Sequence, residues 1–237
     1  MAKELCCSTT SENVDVHQTP EANTTFIVTG FGPFQDVNSN PTTKIIEHLR
    51  NNPSSMQSLL PGIKVAKFLI LETSAGAVKH DLNNLFEDIK NDTTFHKLVI
   101  LHLGVATMYK NFRLEQNAYN EATFRIPDQR GYAPQKEVVC DDLKLCECLE
   151  TKLDLNMLKK KMTQGGDAIS DDVIISNDPG RFVCNYTYCY SLANFSSSVL
   201  KRHVLFLHVP PLEVIDQEKQ ICFILSLMNR IHETISS

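Results

Sequence analysis

Three features of membrane proteins and nucleic-acid binders are missing from this sequence. No apolar stretch approaches the roughly 20 residues that a membrane-spanning helix needs. The longest basic run is Lys159 to Lys161, and the net charge of the chain is −5. Because a protein that neutralises phosphates needs a basic surface, we expect no nucleic acid and no membrane among the partners.

Metal-binding and secretion signals are also missing. The eight cysteines include no CxxC pair, and Cys146 with Cys148 lacks the second half of a zinc knuckle. This spacing argues against a metal site. The first 25 residues contain no apolar segment of a secretory signal, so the cysteines are expected to be reduced thiols in the cytoplasm.

The 237 residues fit one domain. Residues 1–24 are polar and aperiodic, which predicts a disordered tail before a domain at 25–237. Within that domain, short apolar runs at 26–30, 65–71, 97–104, 172–176 and 203–209 alternate with segments of helical period at 41–51, 75–90, 156–163, 182–198 and 216–233. Continuous apolar strands are typical of sheets covered by helices on both faces. The pattern predicts an α/β fold: a single three-layer α/β/α sandwich with a mostly parallel central sheet.

Two segments interrupt this alternation. Residues 111–135 have strand-like pieces with proline and glycine between them, which predicts a hairpin or a long functional loop. Residues 137–154 mix charge with cysteine and carry no predicted element.

The first apolar run ends in the motif TGFGPF, residues 29–34. A dinucleotide-binding loop would need a third glycine where Gln35 stands, together with an acid about 20 residues further on, and both are missing. The motif is therefore a sharp turn that carries Phe31 and Phe34. Such rings usually belong to a core, and the alternative is the wall of an apolar pocket for a small flat ligand.

A second turn, in ISNDPGRFVCNY, carries a candidate nucleophile. A strand ends at Ser176, Asn177 and Asp178 are good N-cap residues, and Pro179 suits the first helical position. Cys184 would then lie early in a helix, where the helix dipole favours a thiolate. The alternative is a buried cysteine that acts as a small hydrophobic residue.

Two histidines end apolar strands at the same predicted edge, His102 in KLVILHLG and His208 in HVLFLHVPP. A cysteine nucleophile needs an imidazole to take its proton, and a carboxylate commonly orients that imidazole. Glu115 is a candidate carboxylate, as are Glu121 and Asp128. Spacing alone does not choose between the two histidines or among the three acids.

At these residues the sequence resembles the pyroglutamyl peptidase type I family of cysteine peptidases, also called pyrrolidone carboxyl peptidases. The motifs are TGFGPF followed by NSNPT, FRLEQNAYNEATFRIPDQRG, ISNDPGRFVCNY and FLHVPP. They occur in the family's order and span residues 26–212. The segments LETSAGA and NEATFR are most similar to the plant-type branch.

The resemblance implies a role for each site residue. Cys184 would be the nucleophile, His208 the general base and Glu115 the group that orients it, with Arg125 near the catalytic centre. The family fold is a single α/β/α domain. The substrate pocket would be lined by Phe31, Phe34, Asn40, Ile126, Phe182 and Val183.

The implied activity is that of a cysteine omega peptidase. It would remove an N-terminal pyroglutamyl (5-oxoprolyl) residue from peptides through a thioester, without a metal or an organic cofactor. The partners would be such peptides, and a homo-oligomer stays open. Two other functions compete: a catalytically silent family member that binds the same peptides, and a redox pair of Cys184 with Cys189. The redox pair is disfavoured because side chains five residues apart on a helix lie on different faces.

Overall fold

The computed structural model describes residues 24–34, 40–90, 95–164, 173–197 and 200–236. The predicted tail lies outside these residues except for Thr24, which begins the first strand. The elements are β1 (Thr24–Phe31), α1 (Pro41–Asn51), α2 (Pro53–Leu59), β2 (Ile63–Leu71), α3 (Ala75–Lys90), β3 (Leu98–Val105), β4 (Phe112–Glu115), β5 (Asn117–Tyr119), β6 (Cys148–Glu150), α4 (Leu155–Gln164), β7 (Val173–Ser176), α5 (Val183–Asn194), β8 (Arg202–Val209) and α6 (Gln217–Ser236).

The central sheet has six strands in the order β2-β1-β3-β8-β4-β7. Every neighbouring pair is parallel except β4 with β8, which is antiparallel. The predicted mostly parallel sheet is therefore confirmed. Strands β5 and β6 form a separate antiparallel pair.

Helices cover both faces of this sheet, as its continuous apolar strands predict. One core cluster packs α1, α2, α4 and α6 against the sheet, and a second packs α3 and α5 against the other face. Both clusters take side chains from β1, β3 and β8, so these strands are buried on two sides. The predicted three-layer α/β/α class is confirmed. In the part of the chain that the structure describes, no helix is long and apolar enough to cross a membrane.

The predicted elements differ from the structure in two places. Helix α5 begins at Val183 and not near Pro179, because Gly180 has a φ of +81°, which a right-handed helix does not accept. Asp178 instead closes a turn by accepting a hydrogen bond from the Gly180 N–H at 3.0 Å. The sequence pattern also missed α2 and β6, whereas β4 and β5 lie in residues 111–135, where it predicted strand-like pieces without their bounds. Strands of three or four residues are too short to show a period.

Candidate active site

Three elements converge where β3 and β8 end. Cys184 is the second residue of α5, Glu115 is the last residue of β4, and His208 lies one residue before the end of β8. In the sheet register, His208 faces Gly104 on one neighbouring strand and Arg113 on the other. The antiparallel pairing of β4 with β8 therefore brings the acid-bearing end of β4 beside the histidine.

The imidazole of His208 lies between a sulfur and a carboxylate. Its Nδ1 is 2.8 Å from Oε1 of Glu115, and the side chain of Cys184 lies close enough to the ring to raise its pKa. Glu115 is completely buried and His208 nearly so. The geometry is that of a nucleophile, a base and a group that orients the base.

The protonation of His208 follows from these two contacts. Burial by itself lowers its pKa, but the hydrogen bonds to Cys184 and Glu115 and the charges of both groups outweigh burial and raise the pKa to about 9. The ring therefore carries a proton at neutral pH. An imidazolium at this place holds a proton that it can give to a leaving amine.

His102 occupies a different environment, between two hydroxyl groups. Its Nδ1 is 2.7 Å from Oγ1 of Thr29, and its Nε2 is 2.9 Å from Oγ of Ser191. Both ring nitrogens are therefore engaged, and burial lowers the pKa of His102 to about 3. This ring is a neutral, hydrogen-bonded core residue.

The two other candidate carboxylates also have partners away from the imidazole. Glu121 accepts from Thr123 at 2.7 Å and pairs with Arg181 at 3.3 Å. Asp128 accepts from the backbone N–H of Ala75 at the start of α3 at 2.9 Å. Asp128 therefore joins a loop to a helix start and does not contact His208.

Gly104 allows the sulfur to approach β3 closely. A Cβ at this position would lie 2.7 Å from the ring of Phe206 and 3.2 Å from Sγ of Cys184. The Phe206 ring in turn lies 4.7 Å from the ring of His208, centroid to centroid. The absence of a side chain at Gly104 is therefore what leaves room for the sulfur and the imidazole together.

A cavity of about 540 Å³ opens onto these side chains. One part is aromatic, where the ring of Phe182 lies 5.4 Å from that of Phe34 and 4.7 Å from that of Phe124. The cavity is lined by Val105, Ala106, Thr107, Met108, Tyr109, Arg113, Glu115, Thr123, Arg125, Asp178, Pro179, Gly180, Arg181, Phe182, Cys184 and His208.

The start of α5 supplies donors to the same cavity. Its N-cap residue is Phe182, which has no side-chain acceptor for the first turn. The backbone N–H groups of Val183 and Cys184 therefore stay uncapped by a side chain, and such groups can hold an oxyanion. Among the described residues, no three His, Cys, Asp or Glu side chains come together as a metal-ligand set.

Comparison with known proteins shows which family the chain belongs to. A family model described as pyroglutamyl peptidase matches residues 24–232. The chain belongs to the pyroglutamyl peptidase family. The match covers every strand and all helices except the last residues of α6.

Several members of this family resemble the chain over between about half and most of its length. It is 27% identical to a pyrrolidone-carboxylate peptidase of Pyrococcus furiosus, over 81% of this chain and 84% of that protein. It is 32% identical to a human pyroglutamyl-peptidase 1-like protein, over 48% of this chain and 52% of that one. The crystallised pyrrolidone carboxyl peptidase of Thermococcus litoralis superposes with a TM-score of 0.70 at 25% identity, covering 90% of this chain and 94% of its own.

The other pocket residues implied by the family resemblance lie in four kinds of place. Phe34, Phe182 and Arg125 lie at the cavity, directly or through ring contacts. Phe31 and Val183 are buried in the core cluster of α3 and α5. Ile126 is exposed outside the cavity lining. Asn40 is buried and caps α1, where its Oδ1 accepts from the Thr42 N–H at 3.0 Å.

Sequence reasoning missed several residues that line or support this pyroglutamyl peptidase site. Phe124 completes the ring cluster, and its position beside Arg125 in the NEATFR motif is the signal that was available. Arg113 lines the cavity and reaches Glu115 at 3.9 Å. The loop 105–109 also lines it, and the signal there was its place directly after an apolar strand.

Cys189 lies beside Cys140 and not beside Cys184, the cysteine with which the sequence analysis considered a redox pair. It is buried on the side of α5 that faces Asn120, and the neighbouring Cys140 thiol raises its pKa. The six described cysteines are all free thiols. Cys184 is thus grouped with His208, while Cys189 is grouped with Cys140.

Proposed function

We propose that Cys184, His208 and Glu115 carry out the reaction of this chain as nucleophile, general acid–base and orienting carboxylate. The chain is a cysteine-type peptidase that removes an N-terminal pyroglutamyl residue from peptides. The observation that carries the residue assignment is the His208 ring, held between the sulfur and the buried carboxylate at the mouth of the cavity.

The first half of the reaction forms a thioester. Sγ of Cys184 attacks the carbonyl carbon that joins the pyroglutamyl residue to the next residue, and the carbonyl oxygen becomes an oxyanion. The uncapped N–H groups at the start of α5 are the donors for that oxyanion. The intermediate collapses, the C–N bond breaks, and His208 gives its proton to the departing amine nitrogen.

The second half releases pyroglutamate. Once the shortened peptide has left, His208 is neutral and takes a proton from a water molecule that attacks the thioester carbon. The C–S bond breaks, and the sulfur and imidazolium return to their starting state. Glu115 accepts a hydrogen bond from Nδ1 throughout, which fixes the ring orientation and stabilises its positive charge.

The aromatic part of the cavity suits the lactam ring. Pyroglutamate has no free α-amine, so its site needs flat apolar walls and no carboxylate to bind a cation. The rings of Phe34 and Phe182 offer such walls. We assign Phe31, Val183, Asn40 and Ile126 to the same subsite from the family resemblance, and place Arg125 beside the reacting carbonyl.

Three finer statements belong to the same proposal. We assign the chain to the plant-type branch on the segments LETSAGA and NEATFR. We assign it to the cytoplasm because its described cysteines are free thiols, as is usual in a reducing compartment. The partners are peptides with N-terminal pyroglutamate, and the net charge of −5 argues against nucleic acid.

The test is direct. The purified chain is incubated with pyroglutamyl-alanine and, as a control, with prolyl-alanine, and free pyroglutamate and alanine are measured by chromatography. We expect cleavage of the first dipeptide alone. Cys184→Ala should remove the activity, whereas Cys222→Ala, a change at an exposed thiol on α6, should keep it. Turnover by Cys184→Ala would reject the nucleophile.

A further inference from the structure

The loop after β3 exposes two large apolar side chains inside the cavity. Met108 is 83% exposed and Tyr109 is 46% exposed, although both line the space in front of Cys184 and His208. Most apolar side chains of this size are covered, and an exposed apolar patch within a cavity commonly marks a binding surface. We name residues 106–109 the shelf.

The shelf is held at one end by β8, the strand that carries His208, and at the other by β4, the neighbouring strand. The backbone N–H of Ala106 donates to the carbonyl of Val209, the residue after the histidine, at 3.0 Å. At its other end, the ring of Tyr109 lies 3.9 Å from the guanidinium of Arg113, which faces His208 across the sheet. The shelf therefore has a defined position beside the imidazole, held by the two strands that flank it.

The chemistry of the reaction decides which part of a substrate would meet the shelf. A general acid must point at the nitrogen to which it gives its proton, so the leaving amine lies on the imidazole side of the sulfur. Phe182 is the N-cap residue of α5, two residues before Cys184, and its ring lies 5.4 Å from that of Phe34. A substrate with its lactam against those rings directs the residue after pyroglutamate toward the shelf.

We propose that the shelf is the subsite for the residue that follows pyroglutamate, and that Met108 and Tyr109 make the enzyme prefer a large apolar or aromatic side chain there. This inference rests on the proposed function of the same site. The cavity volume of about 540 Å³ accommodates more than a five-membered ring, which agrees with a second subsite.

The cation that contacts the shelf is already engaged by other groups. Arg113 lies against the Tyr109 ring, its Nη2 donates to Oγ of Ser176 at 3.0 Å, and its Nε lies 3.9 Å from Glu115. The side chain of Arg113 is only 14% exposed. Because its charge is already matched, Arg113 serves the shelf mainly as a flat support for the Tyr109 ring.

The experiment compares two substrates that differ only at the residue in question. Release of pyroglutamate is measured from pyroglutamyl-phenylalanine amide and from pyroglutamyl-alanine amide, and the ratio of their kcat/KM values is the readout. We expect the wild type to favour the phenylalanine substrate by about tenfold. Met108→Ala and Tyr109→Ala should each lower that ratio about threefold or more, because the loss falls mainly on the phenylalanine substrate.

The control is Met157→Ala, because Met157 is a half-exposed methionine of α4 outside the cavity. It should keep the wild-type ratio. A wild-type ratio near one, a ratio unchanged by both shelf variants, or an equal loss on both substrates would overturn the shelf while leaving the peptidase intact. Absence of turnover of either substrate by the wild type would reject the proposed function and the shelf together.

Discussion

Two buried histidines on neighbouring strands differ mainly in the side chains that their rings contact. His102 on β3 and His208 on β8 both pack near the ring of Phe206, with centroid distances of 6.0 and 4.7 Å. His102 contacts two neutral hydroxyl groups, and burial lowers its pKa to about 3. His208 contacts a sulfur and a carboxylate, and its pKa rises to about 9.

The difference shows that the charge of the neighbours, and not burial, decides which imidazole can do chemistry. Burial acts on both rings in the same direction, toward the neutral form. In His208, the hydrogen-bonding and charge interactions with Cys184 and Glu115 reverse this effect. A ring that is neutral at every physiological pH can support the core, while a ring that keeps its proton to about pH 9 can act as a general acid.

The sharpest test of this comparison replaces each histidine by glutamine. His208→Gln should lower kcat/KM for a pyroglutamyl amide by at least about 10⁴-fold, because proton transfer at the sulfur and at the leaving amine is lost. His102→Gln should stay within about fivefold of the wild type, since its ring touches no reacting atom. Similar losses in the two variants would break the comparison.

Replacing Glu115, the carboxylate that contacts His208, should have the next largest effect on activity. Glu115→Gln removes the negative charge that supports the imidazolium, so kcat should fall by about 10²-fold. The pKa of His208 should fall as well. Because the protonated ring is the proposed general acid, the alkaline limb of the pH profile should move from near pH 9 to lower pH.

The matched variant is Glu121→Gln, whose carboxylate pairs with Arg181 and does not contact the histidine. It should leave the alkaline limb in place. An unshifted limb in Glu115→Gln would show that Glu115 only orients the ring and does not tune its pKa.

A smaller effect is expected at Gly104, where the missing side chain leaves room for the sulfur of Cys184 and the ring of His208. Gly104→Ala would place a methyl group 2.7 Å from the Phe206 ring and 3.2 Å from Sγ of Cys184, so the ring or the sulfur must move. We expect kcat to fall by about tenfold. Gly76→Ala in α3 is the control, because nothing lies within 4 Å of its added Cβ. Equal activity in the two variants would contradict the close approach at Gly104.

The layers of the fold were predictable because they depend on local patterns. Apolar runs and helical periods predicted β1, β3, β8 and most helices, since both signals repeat within a few residues. The start of α5 was not predictable in the same way. Asn177 to Pro179 satisfy the local rules for a helix start, yet Gly180 adopts a φ of +81° and delays the helix to Val183.

The pairing of the site residues was less predictable, for a physical reason. The contact between Glu115 and His208 spans 93 residues and depends on the antiparallel pairing of β4, a strand too short to show a period. Spacing therefore left His102 and His208 equivalent, and the family resemblance made the choice. The shelf had no pattern at all, because the exposure of Met108 and Tyr109 is a property of the folded loop.

The smallest predicted effect is on stability, and it tests whether His102 stays neutral in the folded state. Its pKa falls from about 6.5 when unfolded to about 3 when folded, so below pH 6.5 the unfolded chain binds a proton that the native chain refuses. The stability linked to His102 is present in full above pH 6.5 and is lost as the pH falls toward 3. At pH 5 the loss amounts to about 2 kcal/mol.

His102→Gln separates this linkage from all other titrating groups. The variant should be less stable than the wild type at pH 7 by about 1–3 kcal/mol, because glutamine cannot bond Thr29 and Ser191 as the ring does. It lacks the proton linkage, however, so the gap between the two unfolding free energies in urea should narrow from pH 7 to pH 5. Parallel curves over that interval would mean that His102 accepts a proton in the folded state, and the contrast with His208 would then rest on geometry alone.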